Sequence, residues 1–138
     1  MTGYSGTSVW KKLGYKSGMP AYIDGAPSDY LSLVGLPVDV TVTWLDHPNS
    51  DIEFVHLFVM SAAKLESKLR FYRQRIAPGG VIWVSWPKKS SGVKSEVTEN
   101  GIRGAALPMG LVDVKVCAIN EVWSGLKLVI RKAKRGAS

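Results

Sequence analysis

The sequence predicts an α/β protein of three layers, Rossmann-like, with a mostly parallel sheet and a C-terminal antiparallel hairpin. Three observations predict it. Strand-like and helix-like segments alternate along the chain, which is the pattern of a parallel sheet with helices packed on both faces. Residues 53 to 60, EFVHLFVM, form an almost unbroken apolar run of strand length, as in a strand covered on both sides. The last third reads as two strands with no helix between them, which only an antiparallel hairpin can join.

Taken in order, Val9 to Leu13 reads as a short helix stopped by Gly14, and residues 19 to 24, MPAYID, as the first strand. After Gly25-Ala26-Pro27, Ser28 is a good N-cap for a short helix running to about Val34, which Gly35 and Pro37 end. Residues 38 to 44, VDVTVTW, place Val38, Val40, Val42 and Trp44 on one face, the alternation of a half-buried strand. Eight residues, Leu45 to Ile52, then lead to the apolar strand. That is short for a parallel crossover, but about 27 Å of extended chain can return along a short strand, so an extended link without a helix is expected. Ser61 is placed to cap a long helix in which Leu65, Leu69, Tyr72 and Ile76 form one apolar stripe, with Pro78-Gly79-Gly80 as its stop. Residues 81 to 86, VIWVSW, read as a buried strand, PKKSSGVKS as loop, and Thr98 to Leu107 as a second helix ended near Pro108. The hairpin is expected at 111 to 119 and 126 to 132, turning around Trp123-Ser124-Gly125 at a sheet edge.

A length of 138 residues fits one domain, with residues 1–8 and 133–138 expected to be flexible ends. One cysteine, Cys117, excludes an internal disulfide framework and any multi-cysteine metal site. The first twenty residues hold no apolar run of signal-peptide length and no stretch approaches a membrane span, so a cytoplasmic protein without a membrane contact is expected. Eighteen Lys and Arg against eleven Asp and Glu leave a net charge of +7, which permits anionic partners.

In an open α/β sheet, ligands bind beyond the carboxyl ends of the strands where the strand order reverses. With an order of 2-1-3-4 that point lies between the first and third strands. The candidate ligand-binding residues are then Asp24, Gly25, Ala26 and Ser28 after the first strand, Ser61 after the third, and Ser85, Trp86 and Lys88 at the end of the fourth. Ser28 and Ser61 open helices whose N–H groups receive anions, while the Trp86 ring beside Lys88 and Lys89 suits a base and a phosphate. His56, between Val55 and Leu57, reads as a hydrogen-bonded core histidine, and His47 stands too far from it for metal-ligand spacing. Cys117 reads as a core thiol. No Ser-His-Asp set, paired carboxylates, Walker loop or zinc motif can be assembled, so the sequence assigns no catalytic residue and leans away from an enzyme, and no metal or cofactor is expected.

The segments Trp86-Pro87-Lys88-Lys89 and Lys115-Val116-Cys117-Ala118, the latter followed by Trp123-Ser124-Gly125, resemble a bacterial family of unknown function. The resemblance implies a shared fold in the bacterial cytosol and brings no catalytic residues with it. Residues 53 to 132 are also similar in pattern to the second half of class I methyltransferases: buried strand, helix, Pro-Gly-Gly, strand, helix, antiparallel pair. Such enzymes hold S-adenosylmethionine on a Gly-rich turn after the first strand, where this chain has Asp24-Gly25-Ala26-Pro27-Ser28 with a single glycine. The expected function is therefore a non-catalytic module binding a small anionic, nucleotide-like ligand in the strand-end crevice. Two alternatives are a nucleic-acid or acidic-partner domain using the basic helix (Lys64, Lys68, Arg70, Arg73, Arg75) and the C-terminal tail, and a degenerate S-adenosylmethionine-dependent methyltransferase.

Overall fold

A computed structural model describes residues 8–132; apart from Ser8, the two expected flexible ends lie outside the described residues. The elements run α1 (Val9–Leu13), β1 (Pro20–Asp24), α2 (Tyr30–Val34), β2 (Thr43–Trp44), β3 (Ile52–Phe58), α3 (Ala62–Arg73), β4 (Ile76–Pro87), α4 (Glu99–Ala106), β5 (Leu111–Ala118) and β6 (Trp123–Ile130). They build one sheet of order β2-β1-β3-β4-β6-β5. β1 pairs in parallel with β2 and β3, and β3 with β4, while β6 lies antiparallel to both β4 and β5. This is the α/β, mostly parallel arrangement with a C-terminal hairpin that the sequence predicts. The 45–51 link is helix-free, as expected, but bent, with Asn49 N–H turning back onto the His47 carbonyl, and β2 and β3 run the same way on either side of β1.

Strand alternation sorts the core into two layers. Val55, Leu57 and Val59 on the β3 side, with Ile82, Val84 and Trp86 of β4, pack under Leu65, Leu69 and Tyr72 of α3 and Ile102 of α4. Phe54 and Phe58 of β3 with Trp83 of β4 face the other way, under Leu13 of α1 and Tyr30 and Val34 of α2. The second layer holds a row of polar side chains. The Tyr15 and Tyr30 hydroxyls lie 2.6 Å apart, Tyr30 Oη is 2.8 Å from His56 Nδ1, and His56 Nε2 is 2.7 Å from Ser85 Oγ. All four are buried, and burial holds the His56 imidazole neutral, its pKa pushed down to about 3. The core histidine expected from sequence is thus hydrogen-bonded at both ring nitrogens. Burial also pushes the Cys117 thiol up, in keeping with a core thiol.

Several expected boundaries are corrected. The strand expected at 38–44 shrinks to Thr43–Trp44, because Val40 N–H turns back onto the Pro37 carbonyl and Val38 is fully exposed. The helix stops at Arg73, and Ile76 begins β4 opposite Ile52 instead of completing the helical stripe. Pro78-Gly79-Gly80 lies within β4. Between Ile52↔Ile76 and Phe54↔Val81 one strand advances two residues and the other five, and these three are the bulge. The hairpin turns earlier than expected, at 119–122, because Asn120 Oδ1 accepts the N–H groups of Val122 and Trp123 and starts β6 at Trp123. β6 is interior, and β5 is the edge.

Candidate functional site

Strand order reverses between β1 and β3, where the sequence places the crevice, and a cleft of about 430 Å³ opens there at their carboxyl ends. Its walls include Gly25, Met60, Ser61, Lys64, Lys68 and Glu96. Gly25 takes φ +74°, and a Cβ on it would stand 2.8 Å from the Phe58 carbonyl oxygen, so the turn after β1 rests directly on the end of β3. Gly25→Ala is expected to cost about 2–3 kcal/mol in a urea unfolding titration, from left-handed strain plus displacement of β3. A cost below 0.5 kcal/mol, roughly that of an ordinary surface change, would show that the turn is free to move away.

Asp24 ends β1 on the α3 side and is fully engaged there. Its Oδ1 accepts from Lys68 Nζ and its Oδ2 from the Tyr72 hydroxyl, both at 2.6 Å. Burial, reinforced by that hydrogen bond to the carboxylate, holds the Tyr72 phenol well above its ordinary pKa. Asp24 therefore buttresses the wall of the crevice through α3. Ala26 turns away from the crevice into the second core layer. Ser28 does not cap α2: Asp29 occupies the N-cap position, without a side-chain bond, and Ser28 is exposed. Ser61 does cap α3, accepting the Lys64 N–H at 3.3 Å. The free end of that helix is not open to an anion, since Glu96 Oε1 accepts the Ala62 N–H at 2.9 Å and the Glu96 N–H donates to the Met60 carbonyl at 2.8 Å.

The candidates at the end of β4 separate. Ser85 alternates with Val84 and Trp86, so it points to the α2 side and is spent on His56 with no exposed surface, which removes it from the crevice. Trp86 packs in the α3 and α4 layer, and borders a second cleft of about 310 Å³ with Lys88, Lys89 and Ser95. Lys88 Nζ donates to the Asn120 carbonyl at 2.6 Å and Lys88 N–H to Val122 O at 2.7 Å, so its charge braces the hairpin turn. The structure thus brings Gly25 and Ser61 together, sets Asp24 behind them, moves Trp86 and Lys88 to the second cleft, and disperses Ala26, Ser28 and Ser85. Glu96 was not foreseeable: nothing in local spacing links it to a helix terminus 34 residues away.

Two of the five cations of the basic helix are ion-paired and two more are held by other contacts. Lys68 pairs with Asp24 and Arg70 with Glu66, Arg73 Nε donates to Met109 O, and Arg75 lies over the Phe71 ring. Among the described residues no three His, Cys, Asp or Glu side chains gather as metal ligands, and no helix is long and apolar enough to cross a membrane.

No protein-family model matches the chain, and no curated protein matches it. Solved structures do. A SAM-dependent methyltransferase from Aquifex aeolicus is similar with a TM-score of 0.62 over 88% of this chain and 87% of its own, at 16% identity. DhpI in complex with SAH is similar at 0.62 over 91% and 83%, at 11% identity. The ribosomal protein L11 methylase of Lactobacillus delbrueckii subsp. bulgaricus is similar at 0.58 over 88% and 74%, at 8% identity. At such identities the likeness establishes the fold: this chain has the Rossmann-like fold found in these methyltransferases.

Proposed function

We propose that the crevice between β1 and β3 binds an adenosyl ligand, S-adenosylmethionine or S-adenosylhomocysteine, and that the chain is a degenerate form of the methyltransferase fold. The observation that carries this reading is the 430 Å³ cleft at the switch point of this sheet. It lies within the size range of small-molecule sites and joins apolar Phe58 and Met60 to polar Ser61 and Lys64. Lys64, which lines the cleft, suits the carboxylate of the amino-acid end. A phosphate-bearing nucleotide is disfavoured, because Glu96 already fills the start of α3 where a phosphate would sit. When bound, S-adenosylmethionine supplies an electrophilic methyl group. The described residues bring little else to a transfer: His56 is buried and neutral, Asp24 is held by Lys68 and Tyr72, and Glu96 is tied to the Ala62 amide. Binding without efficient transfer is the function this arrangement supports. The bacterial family suggested by the Trp-Pro-Lys-Lys segment is proposed to share it.

Calorimetric titration with both adenosyl ligands tests the reading. Saturable binding is expected, weakened severalfold in Lys64→Ala while the melting temperature stays unchanged. The absence of saturation at about 1 mM ligand, a binding free energy weaker than roughly −4 kcal/mol, or a clear preference for ATP, would overturn it.

A further inference from the structure

The two faces of the sheet are covered unequally. α3 and α4 cover one face out to β6 and β5. On the other, α1 and α2 have five residues each; they pack over β1, β3 and β4 and reach the hairpin only at Lys115 and around Cys117 and Trp123. The hairpin's second face is left with half-buried Val112 and Val129, which stand beside Val81 in register. Lys127 sits opposite Trp83, whose indole reaches back to α1, so Lys127 belongs to this same face. Lys115 sits directly opposite Lys127, and its Nζ reaches the Lys12 carbonyl of α1 at 3.2 Å.

Below α1 this face deepens into a groove of about 790 Å³ at the amino ends of the strands, the far end from the crevice. Leu13, Met19, Phe54 and Val81 make its apolar floor, and Lys16 and Lys127 its rim, with Glu53 the one carboxylate among the lining residues. Like charges placed directly across two strands destabilise a sheet, yet neither Lys115 nor Lys127, nor Lys16, makes an ion pair among the described residues. Carboxylates elsewhere, Asp24, Glu66, Glu99 and Asp113, are spent on α3 and α4. Lys115 is held by a backbone carbonyl and not by a carboxylate, so the positive charge of this face has no ion-paired counter-charge among the described residues and suits one from outside the chain.

We propose that this groove and the adjoining hairpin face dock an acidic peptide segment of a partner protein, one rich in aliphatic side chains. The lysines supply the charge complement, and Val81, Val112 and Val129 with the groove floor take the aliphatic groups. A single nucleic-acid strand fits this face less well, since it calls for exposed rings on which bases stack, and the ring on this floor, Phe54, is buried at 3% exposure.

The test uses the full chain and a short fluorescein-labelled peptide of alternating Glu and Leu, read by anisotropy. The expected result is saturable binding, tighter than that of an all-Glu peptide of equal length. The double variant Lys115→Glu/Lys127→Glu should weaken it roughly tenfold or more, with a melting temperature little changed because one like-charge pair replaces another. Lys89→Glu/Lys94→Glu, the same change in net charge at the strands' other end, should leave it intact. No saturable binding, an equal loss in both double variants, equal affinity for the all-Glu peptide, or tighter binding of a short DNA strand with the same lysine dependence would each overturn the proposal.

Discussion

Acidification is expected to destabilise this fold well before most of its carboxylates protonate. His56 has no exposed surface, and its folded pKa of about 3 lies far below the 6.5 of a free imidazole. Between those values the unfolded chain binds a proton that the folded chain refuses. The stabilising contribution is therefore complete above about pH 6.5 and is lost as pH falls toward 3. The loss approaches about 3 kcal/mol near pH 4.5 and about 4–5 kcal/mol near pH 3, at 1.36 kcal/mol per pKa unit. Against a total of about 5–15 kcal/mol for an ordinary domain, that is enough to bring unfolding into the mildly acid range. Urea titrations followed by circular dichroism from pH 7 to 4.5 give the slope directly. His56→Gln should flatten it, whereas His47→Gln, at an exposed loop position, should not. Below about pH 4, Asp113, whose carboxyl Arg103 holds under its usual range, adds a loss of the same sign. A pH 6.5 to 4.5 slope that survives His56→Gln would remove this account.

Trp83→Ala is the second large effect, expected at about 4–5 kcal/mol. The ring is fully buried between the sheet and α1, and its Nε1 donates to the Leu13 carbonyl at 2.9 Å. Space for it is made by Gly125, where a Cβ would come within 3.2 Å of the Trp83 ring. Truncation leaves a cavity and an unpartnered carbonyl at the end of α1, a helix too short to stand without that anchor. Trp83→Phe fills most of the space but cannot donate, so it should cost about 1–3 kcal/mol and act mainly on α1. Hydrogen exchange distinguishes the two. Amides of Lys12 and Gly14, bonded to Ser8 and to Trp10 and Lys11, should lose protection in Trp83→Phe while those of β3 keep theirs. Equal protection of α1 in both proteins would show that the indole bond does not hold it.

The sheet was legible where burial left a one-dimensional trace. The apolar run of β3 marks the centre of the sheet, and Ser61 and Thr98 mark the starts of α3 and α4 through their own side-chain bonds. Illegible features depend on partners distant in sequence. Residues 38–42 alternate like a strand, but β1 offers pairing only to Thr43 and Trp44. Pro78-Gly79-Gly80 has the composition of a stop and serves as a bulge, because β3 holds its register on both sides of it. At the site, alternation alone would have shown that Ser85 and Trp86 cannot share a crevice, since adjacent strand residues face opposite ways. Nothing comparable could place Glu96, whose role exists only once the segment after β4 crosses the start of α3.

The buried row from Tyr15 to Ser85 carries a polarity. A neutral imidazole has one N–H and one lone pair, so the two ends of His56 must act in opposite senses. Either Ser85 donates to Nε2 and Nδ1 donates to Tyr30, or Tyr30 donates to Nδ1 and Nε2 donates to Ser85. Each choice aligns the neighbouring hydroxyl dipoles in one direction, through Tyr30 to Tyr15. Reversal is then collective: no single proton in the row can turn round without leaving one contact with two donors and another with none. The segment before β1, α2, β3 and β4 are thereby joined by a string of dipoles with two orientations, chosen at whichever end is electrostatically disturbed.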